Sequence, residues 1–542
     1  MFNPKNKIIL FFLISVSTAN AQSFLYPFSR DNSFYVERGF CLNNKNEHTT
    51  LKPYIELKTI FIDSLFNIER KHDSILMKAR KNKVLWAKLK YDNFFTIKGE
   101  DYKFTIDPLF DFQAGTLLKE KNNYFTNSRG FLITGKVGKR FSFYSSYTEN
   151  QVIFPDYISN KIKLYKADNS YFIVPGEGLA KPFKTRGFDF ANSAGKISYS
   201  PFRFLNIQFG NGKHFIGDGY RSLLLSDNSY NYPFLQLTGE FWKIQYTSIY
   251  ATFQEPLMGR EYQMGYQKKY ATFHFLSYNV NHRLNIGFFD AVIWKIVPKK
   301  AEYKIDYANP LLFYSPFQIS SLHSDNNAMV SFTGKYKIAK KNIAYMQLVF
   351  DDNKFNAKYP GYYKNKYGYQ LGIKFFDFLK CENLFFQTEF NAVRPYTYSH
   401  SVPAQNYSNY NQPLAHPLGA NFYESVSILN YRFSDYLDKI IIELKINYAM
   451  YGTDTSYVNL GRNIFYSDNS ALHLYNNYIG QGLETTLIYE ECRIAYLINP
   501  RTNMRFELGL LRRTEKTDSI KKRNTFLFFT FKTDILNHYF DF

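Results

Sequence analysis

The chain predicts an all-β fold: a transmembrane outer-membrane barrel of about 18 antiparallel strands, with a small, partly helical segment ahead of it. Three observations predict this. From about residue 104 to Phe542, segments of roughly ten residues alternate apolar with polar side chains. The connections between them are by turns very short and very long. No internal stretch reaches the roughly 18 apolar residues that a membrane-crossing helix needs.

The alternation is plain on individual segments, because successive strand side chains point to opposite faces. Between Asp438 and Met450, Ile440, Ile442, Leu444, Ile446 and Tyr448 share one face, while Glu443, Lys445 and Asn447 share the other. Met504, Phe506, Leu508 and Leu510 alternate with Arg505, Glu507 and Gly509, and Leu205, Ile207 and Phe209 with Asn206, Gln208 and Gly210. One face suits lipid and the other water.

A soluble sandwich would alternate too, so the connections decide. Tight turns are read at Val137-Gly138-Lys139, Ser200-Pro201-Phe202, Lys340-Lys341-Asn342, Ser434-Asp435-Tyr436 and Pro500-Arg501-Thr502. Long polar and aromatic loops near residues 150–191, 212–231, 294–328, 394–420 and 450–481 occupy every second connection. Short periplasmic turns opposite long extracellular loops belong to an outer-membrane barrel.

Composition agrees. Tyr 47, Phe 55 and Trp 3 bring aromatics to 19%, a usage suited to strands and interfacial girdles. A mean hydropathy of -0.36 is compatible with a barrel, whose lumen and loops are polar. The net charge of +21 points to lipopolysaccharide and other phosphate-bearing lipid of the outer leaflet, or to an acidic extracellular polysaccharide. An exported barrel does not meet nucleic acid.

Residues 1–21 read as a signal peptide: Lys5 and Lys7 precede the apolar run Ile8 to Val16, and Ala19-Asn20-Ala21 places the cut before Gln22. Gln22, not the Cys of a lipoprotein anchor, stands directly after the cut, and Cys41, Cys381 and Cys492 form no disulfide framework. The expected location is the outer membrane. Residues 22–103 are expected to be periplasmic. Leu57, Phe61, Leu65, Ile68, His72, Ile75 and Ala79 fall on one helical stripe, and from Glu69 to Lys90 eight basic residues face two acids. Residues 104–542 form the barrel, with long extracellular or lumen-folded loops.

The most distinctive run extends from Gly210 to Asn228, with Gly210, Gly212, Gly217 and Gly219 beside Lys213, His214, Asp218, Tyr220, Arg221 and Asp227. Its glycines allow close approach of backbone to a neighbour or ligand, and its charges suit an acidic sugar. Two readings stay open: ligand contact, or a loop folded into the lumen with Asp218 pairing Arg221 or Lys213. The order of Gly and Lys is wrong for a P-loop. A second rich stretch from Glu149 to Gly187, with Glu149-Asn150-Gln151, Glu177 and Lys181, is a candidate plug for a lumen otherwise wide enough to conduct water; an exposed surface loop is the alternative.

Enzymatic signals are weak. The ten His show no HExxH pattern, GxSxG is absent, and no metal or cofactor is expected. Ser226-Asp227-Asn228, Ser324-Asp325-Asn326 and Ser467-Asp468-Asn469 could ligate Ca²⁺, but a local Asx turn explains them more simply.

The run Gly212 to Asn228 with Tyr232-Pro233, together with Asn127-Ser128-Arg129-Gly130, Glu149-Asn150-Gln151, Pro175-Gly176-Glu177-Gly178 before Lys181, and the closing Asn537 to Phe542, resembles a family of Bacteroidota outer-membrane proteins that includes the gliding-motility protein RemB. That family is distantly similar to the capsule-assembly protein Wzi. The resemblance implies an eighteen-stranded barrel with a periplasmic helical part and a surface role without catalysis. In the Wzi-like case that role is binding or organising surface polysaccharide; in the RemB-like case it is motility and adhesion, with other surface proteins as partners. The terminal aromatic is expected to serve as a barrel-assembly signal. A porin or transporter is the third expectation.

Overall fold

The computed structural model describes residues 30–42, 47–54, 84–118, 122–164, 167, 171–261, 265–295, 309, 326–351, 356, 358–433, 439–455, 458–533 and 537–542. Eighteen antiparallel strands close into one barrel. In chain order they are β1 (Tyr102–Leu117), β2 (Asn123–Val137), β3 (Phe141–Ile153), β4 (Gly187–Phe202), β5 (Leu205–Gly212) and β6 (Tyr232–Phe241). Then come β7 (Ile244–Glu261), β8 (Gly265–Asn279), β9 (Leu284–Trp294), β10 (Asn327–Ala339), β11 (Asn342–Asp351) and β12 (Lys366–Phe376). The last six are β13 (Leu384–Val393), β14 (Phe422–Arg432), β15 (Ile440–Thr453), β16 (Leu483–Asn499), β17 (Met504–Lys516) and β18 (Lys521–Lys532). Each strand pairs with the next, and β18 returns to β1 from Phe526↔Leu117 to Lys532↔Asp111.

The sidedness of the strands is that of a membrane barrel. Leu444, Ile446 and Tyr448 on β15 are 40%, 54% and 49% exposed, while Lys445 and Asn447 between them are buried. Apolar outside and charged inside inverts a soluble protein and suits a wall between lipid and a polar interior. The same inversion holds on β17, where Phe506, Leu508 and Leu510 are exposed and Arg505 and Glu507 buried. At one rim Phe202, Phe204, Phe241 and Trp242 stand outward, and the Phe202 and Phe204 rings stack at 5.3 Å. They are placed as an interfacial aromatic girdle.

Turns at that rim are short. They include 138–140, where Gly138 takes φ 57°, and also 203–204, 242–243, 340–341 and 500–503. The turn expected at Ser200-Pro201-Phe202 lies slightly later, because β4 continues through Phe202; the turn expected at Ser434 to Tyr436 lies outside the described residues. The opposite rim carries the long connections 154–186, 213–231, 394–421 and 454–482, but 118–122, 262–264 and 517–520 there are short. The expected strict alternation of loop lengths is therefore looser than the pattern suggested. Short turns mark the periplasmic rim of such barrels.

An eighteen-stranded barrel is wide enough to leave an aqueous channel, yet this lumen is packed. Leu223, Leu224 and Leu225 from 213–231, Tyr398, Tyr407 and Leu414 from 394–421, and Ile464 from 454–482 are buried against Phe253, Phe273, Phe289 and Phe422 of the wall. The segment around Leu51 and the C-terminal Phe542 join them. Helix α1 (Arg30–Leu42) sits at the short-turn rim, where Arg38 pairs with Asp377 at 3.0 Å. Leu51–Lys52 then enters the lumen and pairs antiparallel with Phe215–Ile216, so the segment expected to be periplasmic is partly inside the barrel. Helix α2 (Val84–Tyr91) is held by the Asn499 side-chain amide, which donates to Leu89 O at 2.9 Å. The helical stripe expected at Leu57 to Ala79 lies outside the described residues.

At the other end the chain leaves the wall at Thr533, whose N–H donates to Phe110 O at 2.9 Å. Beyond it the strand Phe95–Lys98 pairs along β1 from Ile106 to Lys103. The terminal hexapeptide Asn537 to Phe542 runs inside, held by Tyr157 Oη donating to Phe540 O at 2.8 Å and by Arg513 Nε donating to Phe542 O at 3.1 Å. Phe542 thus belongs to the lumen core and not to the end of the last strand.

Replacing Ile446 with Arg places a charge on the lipid face at mid-strand, and is expected to cost about 2–4 kcal/mol in bilayers. Denaturant unfolding in phospholipid vesicles measures it; an unchanged midpoint would contradict the assigned lipid face.

Candidate functional site

The distinctive glycine-rich run folds into the lumen, where its charged side chains meet partners far away in sequence. Arg221 is the centre. Its guanidinium pairs with Glu424 of β14 at 2.8 Å and with Asp541 of the tail at 3.0 Å, all three side chains being 1% exposed. Asp541 also accepts from Tyr220 Oη at 2.7 Å and from the Asn447 amide at 2.8 Å, and pairs with Lys445 at 3.4 Å. Lys445 continues to Glu491 at 3.0 Å. On its other side Glu424 pairs with His416 at 2.6 Å. The backbone N–H groups of Tyr220 and Arg221 donate to Glu389 of β13 at 2.7 and 3.0 Å.

The glycines are needed for this seating. A Cβ on Gly219 would lie 2.6 Å from Glu389 Oε2, and one on Gly217 would lie 2.6 Å from Gln347 Nε2. Close approach to the wall, not to a ligand, is what they permit. Gly210 and Gly212 end β5, so they belong to the wall itself.

The remaining expected ligand residues are also absorbed by the plug. Asp218 pairs with Lys335 of β10 at 3.2 Å and accepts from Thr50 Oγ1 at 2.9 Å, so the expected pairing with Arg221 or Lys213 is corrected. Lys213 donates to Gly176 O at 2.8 Å. His214 is buried, with Nδ1 3.1 Å from Tyr232 Oη. Asp227 accepts from Tyr539 Oη and from the Asn537 amide. These side chains are thus engaged within the plug, and among the described residues His214 Nε2 and Arg221 Nη1 are buried with no hydrogen-bond partner.

The second stretch divides. Glu149, Asn150 and Gln151 are not loop residues; they lie on β3, with Glu149 facing outward opposite Arg129 and Asn150 turned into the lumen. Glu177 is in the plug, accepting from the Asn192 amide at 2.6 Å and contacting His538. Lys181 is exposed on the short strand Gly178–Phe183, paired with Asp189 of β4. Between them helix α3 (Asp156–Leu164) buries Ile158 and Ile162. Plug and surface loop are thus both present in one stretch.

A cavity of about 290 Å³ runs beside the tail, lined by Tyr157, Tyr220, Lys445, Glu491, Phe528 and Phe540 among others. Among the described residues no group of three His, Cys, Asp or Glu could hold a metal ion. In the two described Ser-Asp-Asn copies the Ser hydroxyl accepts from the Asn N–H, Ser226 from Asn228 and Ser467 from Asn469, each at 3.2 Å. The turn is therefore closed by Ser, not by the expected Asx contact. Sequence reasoning missed Glu389, Glu424, Lys445 and Asp541. Only Asp541 stood in a motif already singled out; the other three are ordinary inward strand positions.

Removing a partner from a buried ion cluster leaves an uncompensated charge. Arg221→Met is expected to destabilise the plug by about 3–5 kcal/mol, and Arg221→Met with Asp541→Asn by less than the sum of the single effects; protease protection of the lumen loops reads both. Burial opposes charge on Asp541, but Arg221 and then Lys445 outweigh it and hold its carboxyl below the usual carboxylate range. A depressed value contributes stability that is complete above the free pKa of about 3.9 and is lost only as pH falls below it. The tail should stay protected from carboxypeptidase down to about pH 4; release between pH 6 and pH 5, read in the same assay, would contradict this.

No protein-family model matches the chain, and no curated protein matches it. Solved structures do. Wzi of Escherichia coli, described as an outer-membrane protein involved in group 1 capsule assembly and a carbohydrate-binding β-barrel, matches at TM-score 0.55 and 11% identity, over 95% of this chain and 100% of that one. OprD of Pseudomonas aeruginosa matches at TM-score 0.41 and 10% identity over 80% of this chain and 96% of its own. OccAB2 of Acinetobacter baumannii matches at 0.42 and 10%, over 79% and 97%. The likeness to Wzi shows that this chain has the fold of an outer-membrane barrel.

Proposed function

We propose that the protein is a non-enzymatic outer-membrane barrel that binds or organises cell-surface polysaccharide. The observation that carries this reading is the filled lumen. Loops 213–231, 394–421 and 454–482 and the terminal hexapeptide pack into a core continuous with the wall, which fills part of the channel that a barrel of this width would otherwise enclose. Exchange with the outside then falls to the loop face. A net charge of +21 favours an acidic polymer there, and outward cations such as Lys184 and Arg186 near the loop rim suit lipopolysaccharide phosphates. The carbohydrate binding described for Escherichia coli Wzi supports the same class. The competing role, a platform for motility and adhesion proteins in the manner of the RemB-like family, uses the same loop face with protein partners.

Deleting the gene separates the two. Under the polysaccharide reading, polymer moves from the cells to the medium while total synthesis holds; if polymer stays bound and surface spreading is lost, the motility reading replaces it. Reconstituted protein is expected to show no steady conductance in a planar bilayer, and porin-like conductance would favour the transporter reading instead.

A further inference from the structure

The outer surface of the plug carries a feature that the lumen network does not use. Loops 356–365 and 471–482 meet across the loop rim and are fastened by backbone. Tyr363 N–H donates to Leu474 O at 3.0 Å, and Asn477 N–H to Gly361 O at 2.9 Å. The Asn365 side-chain amide donates to Asn356 O at 3.0 Å and to Tyr359 O at 2.9 Å. Arg394 ties both loops to the plug, donating to Asn365 O at 2.9 Å and to Asn477 O at 3.1 Å. Gly361 lets the loops touch, since a Cβ there would lie 2.6 Å from the Asn476 backbone nitrogen.

On this fastened base sits an aromatic platform. The Tyr475 ring lies 5.1 Å from Tyr359 and 5.6 Å from Tyr362. Tyr359 and Tyr475 are 43% and 46% exposed, and Tyr478 nearby is 64% exposed. Lys358 Nζ stands 5.6 Å from the centre of the Tyr359 ring. Tyrosines present a flat apolar face and a hydroxyl at small entropic cost, and a contiguous exposed aromatic patch marks an interaction site. Neither 356–365 nor 471–482 contains a carboxylate, whereas Lys358 and Lys364 lie in the first. Asp468, just ahead of the second loop, is buried and paired with Lys366 at 2.6 Å. A platform whose own two loops carry lysine and no carboxylate is complementary to a polyanion with flat faces.

We infer that Tyr359, Tyr362 and Tyr475 with Lys358 form a subsite for a uronate-bearing polysaccharide strand, the rings stacking on sugar faces and the ammonium meeting a sugar carboxylate. This assignment rests on the polysaccharide function proposed for the barrel. The rigid base matters because a preformed platform loses little freedom on binding.

The test uses the full-length purified protein in detergent, with polygalacturonate hexamer as the acidic probe and dextran oligomer as the neutral control. Wild type is expected to bind polygalacturonate in a salt-sensitive manner and to prefer it to dextran. Tyr359→Ala with Tyr475→Ala should weaken binding at least tenfold, Tyr475→Phe should retain it, and Lys358→Gln should weaken only the acidic probe. Heat-modifiable gel migration reports folding of each variant. Unchanged polygalacturonate binding by the folded double Ala variant would overturn the subsite while leaving the polysaccharide reading standing. Wild type that binds neither probe, or only dextran, or that binds a surface protein through these rings instead, would also overturn it. The reading itself is judged separately, by whether cells lacking the gene release their polymer.

Discussion

An arginine buried in the middle of a membrane barrel sets the terms for the rest of this structure. Arg221 is stable there only because two carboxylates from different parts of the chain surround it, Glu424 from the wall and Asp541 from the tail. Desolvating three ionised groups costs several kcal/mol each, and mutual attraction offsets that cost only when geometry and hydrogen bonding are complete. Tyr220, Asn447, Lys445 and His416 supply much of that bonding, while Arg221 Nη1 has no hydrogen-bond partner among the described residues. A cluster of this kind contributes little net stability compared with apolar packing, but it admits few alternative arrangements. It therefore specifies where the 213–231 loop lies, and with it the three leucines that seed the lumen core.

That fixed plug connects the two rims. The 213–231 loop starts at the long-loop rim, yet its Phe215–Ile216 segment pairs with Leu51–Lys52, which belongs to the N-terminal segment. Lys52 donates to Gly217 O at 2.8 Å and pairs with Glu37 of α1 at 3.5 Å. The path from α1 to Arg221 is thus a chain of ionic and backbone contacts inside the lumen. The outer face of the plug is carried on the same support, because Tyr398 Oη, in the loop that also bears Arg394, donates to Leu223 O at 2.8 Å. The outward loops are thus carried on the packed interior.

Much of the wall was legible because its rule is local. Period two on β15 and β17 needs no knowledge of partners, and the exposed Ile446 and buried Lys445 obey it. Where the rule had no contrast to act on, it failed: Glu149-Asn150-Gln151 is polar throughout, so its strand character was hidden and it read as loop. Glycine clustering in the Gly210 run signalled close approach, but could not say to what. Arg221 and Glu424 are separated by 203 residues and Tyr220 and Asp541 by 321, and only the closed barrel brings them together. Non-local ion pairing leaves no periodic trace, so Glu424, Glu389 and Lys445 looked like any inward strand residue.

The position of Asp541 ties plug and wall to one event. β18 is the strand that closes the barrel on β1, and the chain turns inward at Thr533 only eight residues before Asp541. A strand longer by those residues would have continued along β1, where Phe95–Lys98 now pairs instead. The inward turn and the substitute strand are therefore two sides of one arrangement: the N-terminal segment satisfies the edge of β1 that the C-terminus leaves, and frees the C-terminus to neutralise Arg221. Closure of the wall and locking of the lumen both depend on the last strand and the hexapeptide beyond it. A barrel whose first strand is completed by its own N-terminal segment keeps its edge hydrogen bonds inside the wall while giving up its final residues to the plug.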